Sequence, residues 1–289
     1  MDLEEHREFF RGQIEYAKVL EQVRLGDSFS VPVQHVHNDD KSGKTLIRLP
    51  YCKYISDFDE AMHFIYPSGF DTPDLHTRAI LCATNEDVDE WNAKVQQLNP
   101  EAPVTLRSAN QFKDVDDPNG ILKSMLTDDA CMYYRQNGVP DHALTLKKGD
   151  ICFLMRNLNR KEKLANNQRV RIVEIHRYSI RVNTLSDYPQ EFQIPRIRFR
   201  VKLPFGGFVL IRTQFPLRLA YAVTFNKSQG QSIPHSLVNI RHPPFSHGHL
   251  YVAMSRATDV AGTAFFCNPD QFEEDGVLAT NVVYPEMML

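Results

Sequence analysis

An α/β fold interrupted by a small, basic all-β insert is what this sequence predicts, and three observations predict it. Strand-then-helix patterns stand on both sides of a central region, in RAILCATNEDVDEWN (78–92) and in SLVNI followed by SHGHLYVAMSRAT (236–258). The region 149–208 reads instead as short alternating strands separated by polar turns, DICFLMRN, RVRIVEI, SIRVNTL and RIRFRVKL, which fits a small β-barrel. Charge divides along the same lines. Residues 1–146 carry 14 basic and 25 acidic side chains, 147–202 carry 14 and 5, and 203–289 carry 5 and 6. The domain limits expected are therefore 1–146 for N-terminal helices and the first part of the α/β domain, 147–208 for the basic insert, and 209–289 for the rest of the α/β domain.

Taken in order, residues 3–24 place Leu3, Phe9, Phe10, Ile14, Ala17, Val19 and Leu20 among charges at roughly helical spacing, which predicts one or two amphipathic helices ending at Gly26. The runs TLIRLP and CKYI are short and extended, and DFDEAMHFIY is a helix candidate. In 78–98 an apolar run, Ala79 to Ala83, meets Thr84-Asn85 and the acids Glu86 and Asp87. Helical spacing then continues through Val88, Trp91 and Val95, the pattern of a strand feeding a capped helix. Residues 99–146 hold Pro103, Pro118, Pro140 and Asp-rich patches, so long surface connections with one short helix are expected there. In SHGHLYVAMSRAT, Ser246 is the expected N-cap and Leu250, Ala253, Met254 and Ala257 the buried stripe.

Bulk composition narrows the function classes. The 289 residues are 42% hydrophobic and 24% charged, with a formal net charge of −3, which argues against disorder and against an acidic tail. No apolar run approaches the ~18 residues of a membrane span. The N-terminus MDLEEHREFF is acidic, with neither a secretory nor a transit pattern, so an intracellular setting is expected. Five scattered cysteines without C-x-x-C give no disulfide framework and no zinc site. Cys82 and Cys152 sit in apolar runs and read as core, as does the lone Trp91. No metal site is expected, because His35, His37, His242, His247 and His249 lack a completing carboxylate or cysteine at ligand spacing.

One motif misleads. Ser42-Gly43-Lys44-Thr45 ends like a phosphate-binding loop, but Asn38 occupies the place of the earlier glycine and LIRLP runs extended into Pro50 instead of opening a helix. It reads as a turn between two short strands.

The basic insert has two readings. Its arginines alternate with apolar residues, so one sheet face would be positive, as a polyanion-binding surface or simply as a solvated exterior. A sharper cluster follows in FPLRLAYAVTFNKSQGQSI (215–233), where an apolar stretch gives way to Thr224, Asn226, Lys227, Ser228, Gln229, Gly230 and Gln231. Lysine supplies charge there, hydroxyl and amide groups supply orientation, and glycine supplies close backbone approach, which together suit phosphate oxygens.

LAYAVTFNKSQGQSI and FSHGHLYVAMSRATD (245–259) closely resemble two late motifs of superfamily-one DNA helicases, nearest to the petite-integration-frequency (Pif) and RecD-like group and to the helicase parts of Helitron transposons. AKVLEQVRLGD, IRLP, AILCATNEDVDEWN and GDICFLMRNLNRKEKLANNQRVRIVEI follow in the family's order. The resemblance implies a second RecA-like domain, a mainly parallel sheet with flanking helices, carrying a small barrel insertion. It implies that Arg256 reaches the γ-phosphate of ATP held by a first RecA-like domain, the alternative being that Arg256 only bonds carbonyls at the end of its helix. Gln229 and Gly230 would couple the ATP cleft to DNA, and Thr224, Asn226, Lys227, Ser228, Thr84 and Asn85 would hold single-strand phosphates, with Arg218 a weaker candidate. ATP and Mg2+ are implied only together with that partner domain, since the family's phosphate-binding loop and Asp-Glu magnesium motif have no counterpart in these residues. The expectation is a chain inactive alone, with single-stranded DNA and the missing first RecA-like domain as partners and no membrane role. The resemblance also implies a nuclear setting, with DNA repair, recombination and telomere maintenance as its processes. A non-enzymatic, nucleic-acid-binding remnant of a transposon helicase is the alternative.

Overall fold

The computed structural model describes residues 16–25, 44–49, 53–72, 74–113, 132, 134–159, 164–186, 188–203, 209–257, 261–273 and 276–283. Two compact units divide the chain, one of 1–95 with 221–289 and one of 96–220. The limits at 147 and 208 drawn from charge lie inside the second unit. Elements are numbered along the whole chain.

The first unit is built on five strands, β2 (Lys53–Ile55), β3 (Arg78–Cys82), β14 (Ala222–Thr224), β15 (His235–Asn239) and β16 (Thr263–Phe266). They lie in the order β14-β3-β15-β16-β2 with every neighbouring pair parallel. Parallel strands covered on both faces read as unbroken apolar runs, and Ala79 to Cys82, Ser236 to Asn239 and Thr263 to Phe266 are all buried. This is the predicted α/β, RecA-like sheet. Its helices are α1 over 16–25, α2 (Phe58–Ile65), α3 (Asn85–Leu98), α4 (Phe225–Ser228) and α5 (His249–Met254). Residues 3–15 of the first predicted helix lie outside the described residues.

Local chemistry explains the helix starts. Asp57 caps α2, its carboxylate accepting from the Glu60 N–H at 2.9 Å. Thr84 caps α3, accepting from the Asp87 N–H at 3.1 Å while its own hydroxyl donates to the Asp87 carboxylate at 2.7 Å. Trp91 of α3 is buried between Phe58 (centroids 5.3 Å) and Phe266 (4.9 Å), so it is core, as expected. At the start of β16 a Cβ on Gly262 would meet the Pro234 carbonyl oxygen at 2.1 Å, so only glycine lets the two strands begin side by side.

Strands β1 (Lys44–Leu49), β17 (Phe272–Glu273) and β18 (Gly276–Val282) form a separate antiparallel sheet. Lys44 and Thr45 thus begin a strand and open no helix, so the phosphate-loop likeness around them has no structural support.

The second unit is antiparallel throughout. Strands β7 (Ile151–Leu154), β8 (Arg169–Ile175), β9 (Ser179–Thr184), β10 (Glu191–Pro195) and β13 (Leu217–Leu219) form a sheet in the order β10-β9-β8-β7-β13. A cluster including Leu146, Cys152, Leu154, Val170, Ile172, Val182, Ile194 and Phe215 fills its inner side. A second sheet, β11-β12-β5, joins β11 (Ile197–Lys202), β12 (Val209–Gln214) and β5 (Ala109–Lys113), and β4 (Val104–Arg107) pairs with β6 (Ala143–Leu146). The expectation of long connections over 99–146 is corrected by β4, β5 and β6. Their runs, VTLR, ANQFK and ALTL, are only four or five residues long, too short to signal strands alone, and are held by partners far along the chain. Residues 114–131 lie outside the described residues.

Candidate functional site

In an open parallel sheet, chain leaving the carboxyl ends of the strands forms the natural ligand edge. Here β14 and β3 are neighbours in register, Thr224 opposite Cys82, so the loops after both strands emerge side by side. Thr84 and Asn85 follow β3, and Thr224, α4, Gln229 and Gly230 follow β14. The sequence-predicted polar residues, far apart in the chain, therefore share one edge. Asn92 makes this possible from within: its buried amide oxygen accepts from the backbone N–H groups of Tyr221 (2.9 Å) and Ala222 (3.0 Å), tying α3 to the start of β14.

The individual side chains differ in availability. Asn85, Asn226, Gln229 and Gly230 are exposed, and Thr224 and Lys227 are half-buried. Ser228 is fully buried and donates to the Phe225 carbonyl at 2.7 Å, so its hydroxyl holds the turn and faces inward. Thr84 is likewise engaged in capping α3. Gly230 has φ +80°, and a Cβ placed on it would meet nothing within 4 Å, so its role is the left-handed turn; no crowding demands it. Arg218 belongs to β13 in the other unit.

Arg256 stands just past α5. Its guanidinium donates to the carbonyls of Val252 (3.0 Å) and Gln231 (3.3 Å) and to the Ser255 hydroxyl (2.9 Å), and its own carbonyl accepts from the Ile233 N–H at 2.9 Å. The helix-end contact posed as the alternative is thus present, and with it a link to the loop 229–233. Three of the five N–H donors a guanidinium carries are used among the described residues, which leaves donors for a phosphate oxygen. The Tyr16 hydroxyl steadies the same end of α5 by donating to the Met254 carbonyl at 2.8 Å. The buried stripe Leu250, Ala253, Met254 and Ala257 is as expected, but the N-cap is Gly248 with φ 68°, and Ser246 contributes only its carbonyl to the His249 N–H. A left-handed residue turns the chain into the helix one residue before His249, which leaves the Ser246 hydroxyl too early to cap.

Several contributing residues escaped the sequence reading. Asp87, almost fully buried, accepts from Thr84 and lies 2.7 Å from His242 Nδ1 and 3.9 Å from Arg241, which follow β15. Arg241 also donates to Glu90 (3.3 Å) and Asn239 (3.2 Å) and lies over the Phe266 ring at 5.1 Å. This network fixes the carboxyl ends of β3 and β15 together; N-terminal acids on α3 were its only sequence signal. Burial pushes the Cys82 thiol up, with the Asp87 charge adding to it, so this cysteine is inert core. Among the described residues no three His, Cys, Asp or Glu side chains gather as a metal site. His249 is buried against Phe225 and Phe245, and burial holds its pKa below the usual 6.5.

Comparison with known proteins bears on the same regions. A family profile described as the 2B domain of the DNA helicase Pif1 matches residues 134–175. An ATP-dependent DNA helicase Pif1 of Campylobacter jejuni is 57% identical over 47 residues, 16% of this chain and 10% of that protein. The ATP-dependent DNA helicase PIF1 of Xenopus laevis is 28% identical over 186 residues, 63% of this chain and 26% of that protein. Parts of this chain are thus similar in sequence to Pif1 DNA helicases. The crystal structure of the Pif1 helicase from Candida albicans shares the fold, with a TM-score of 0.59 at 18% identity over 95% of this chain and 56% of that one. The likeness in fold thus extends over most of the chain. The chain spans about a quarter or less of the length of these curated relatives. Among the described residues no helix is long and apolar enough to cross a membrane.

Proposed function

We propose that the chain is the second RecA-like half of an ATP-dependent DNA helicase, which holds single-stranded DNA at the carboxyl edge of its parallel sheet. The observation that carries this reading is the adjacency of β3 and β14, which sets Asn85 beside the Thr224 to Gly230 loop. In this reading Thr224, Asn226 and Lys227 contact phosphates, with Asn85 beside them, while Thr84 and Ser228 hold the backbone that presents them. Arg256, with donors to spare, stabilises negative charge on an ATP γ-phosphate presented by a first RecA-like domain, and its bond to the Gln231 carbonyl transmits the engagement to Gln229 and Gly230. Bound ATP with Mg2+ supplies the phosphoryl group whose hydrolysis drives translocation. Closeness to Helitron helicases and a nuclear setting are part of the same proposal and rest on the sequence resemblance.

The test pairs two variants. Lys227→Ala is expected to weaken binding of a labelled single strand and to shallow its salt dependence by about one ion. Adding a Pif1-type first RecA-like domain is expected to restore ATP turnover that Arg256→Ala abolishes. Restored turnover unaffected by Arg256→Ala removes the arginine's role, and salt-insensitive binding removes the DNA role. A non-enzymatic nucleic-acid-binding remnant is the second reading, favoured by the three bonds that hold Arg256 inside its own unit; binding without any restored turnover would select it.

A further inference from the structure

Strand β11 alternates strictly. Phe199 and Val201 are buried, whereas Arg198, Arg200 and Lys202 are exposed. Directly opposite residues of paired strands share a face, so the register settles what else lies outward. Arg200 faces Ile211 and Lys202 faces Val209 on β12, and Val209 in turn faces Lys113 on β5. Thr213 and Gln111 complete the pattern, so among the described residues this outward face holds four cations and no acid. Among the described residues none of the four cations is paired with a carboxylate. Residues on one strand face repeat about every 6.7 Å, which gives β11 a regular row of three charges, with Lys113 roughly 9.6 Å away across two strand spacings.

We propose that this outward face of β11-β12-β5 docks the phosphate backbone of duplex nucleic acid. The inference rests on the nucleic-acid reading above, because charge alone attracts any polyanion. Duplex is the form the chemistry fits. Unpaired bases are held by stacking on aromatic rings, and among the described residues the outward face carries none, since Phe199 of β11 is turned inward and Phe112 of β5 packs on the inner cluster with Val201 and Leu210. The described residues leave a row of cations beside aliphatic Val209 and Ile211, suited to a dense, regular array of phosphates and blind to sequence.

The test uses the full chain and fluorescence anisotropy with a short labelled duplex and the matching single strand. Arg198→Gln/Arg200→Gln is expected to weaken duplex binding about tenfold at low salt and to reduce the salt slope by about two. Arg181→Gln, which removes a charge from a carboxylate-paired position in the same unit, is expected to change it less than twofold. All these positions lie on sheet exteriors, and unchanged thermal melting confirms intact folds. Equal losses in both variants, an unchanged duplex affinity in the double variant, or no duplex binding by the unaltered chain would overturn the proposal. So would retention of the chain on anionic vesicles with none on duplex. Loss of single-strand binding in Lys227→Ala with duplex binding intact keeps the two surfaces distinct, and the reverse pattern in which only the sheet variant matters refutes the carboxyl-edge track while upholding this face.

Discussion

The antiparallel unit exposes arginines in two sheets, and the two differ in what surrounds each charge. On the β8-β9-β10 sheet, Arg181 lies between Glu174, with which it forms a close ion pair, and Glu191 at 3.8 Å, and Glu174 also meets His176 at 3.4 Å. On the β11-β12-β5 sheet, Arg198, Arg200 and Lys202 share their face with Ile211, Val209 and Lys113. The same segment, 14 basic against 5 acidic, therefore contains one neutralised surface and one positive surface. Net charge per segment states how much charge there is; strand register decides where it is left uncompensated. The parallel-sheet unit repeats the contrast in its polar side chains. Thr84, Ser228 and Arg256 are tied into the fold, while Asn85, Asn226 and Gln229 face solvent.

Breaking a tied group should cost most. Asp87→Ala removes the partner of the Thr84 cap and leaves Arg241 and His242 without their buried carboxylate, and is expected to destabilise the chain by about 3 kcal/mol in urea denaturation. An unchanged urea midpoint would show that the network orders the edge without stabilising it. Gly230→Ala imposes a side chain at φ +80° where nothing crowds it, so only the conformational cost remains, about 1 kcal/mol in the same measurement. Removing both carboxylates around Arg181 converts the neutralised face toward the positive one. Glu174→Gln/Glu191→Gln is expected to raise duplex affinity about threefold at low salt, an increase that vanishes at high salt; no increase would mean that only the β11 row is placed to meet phosphate.

The smallest effect concerns pH. Burial holds the His249 pKa below its usual value, and burial with the charges of Arg212 and Arg107 does the same for His142. Both rings bind protons more readily unfolded, so their contribution to stability is fully present above the unfolded value of 6.5 and is lost as pH falls through it toward the folded values. The thermal midpoint is expected to fall between neutral pH and mildly acidic pH, and His249→Gln is expected to flatten that decline. An equal slope in the variant would assign the acid sensitivity elsewhere.

How far the site could be read in the chain depends on the range of its interactions. The strand-to-helix step at 78–98 was legible because an apolar run, a capping threonine and acids stand in sequence, and the polar cluster after 222 was legible for the same local reason. Asp87 pairing with His242 links positions 155 apart, and no periodicity announces it. Strands β4 to β6 escaped because their residues are unremarkable until β12 completes the hydrogen bonds of β5, and β4 and β6 complete each other's. The cap at Gly248 escaped because a left-handed turn competes locally with the serine side chain.

By itself the sequence determined the α/β class, the β-rich basic insert, the buried cysteines and Trp91, and the two late motifs, since each is written in neighbouring residues with a fixed period. Tertiary structure alone decided that β14 runs beside β3 so that two distant polar loops share an edge, that Arg256 is bonded to the loop it could couple, and that one sheet face keeps its cations while another neutralises them. The reason is that alternation along a strand says only that a charge points away from the core, whereas its neighbours across the sheet depend on register between segments far apart in the chain.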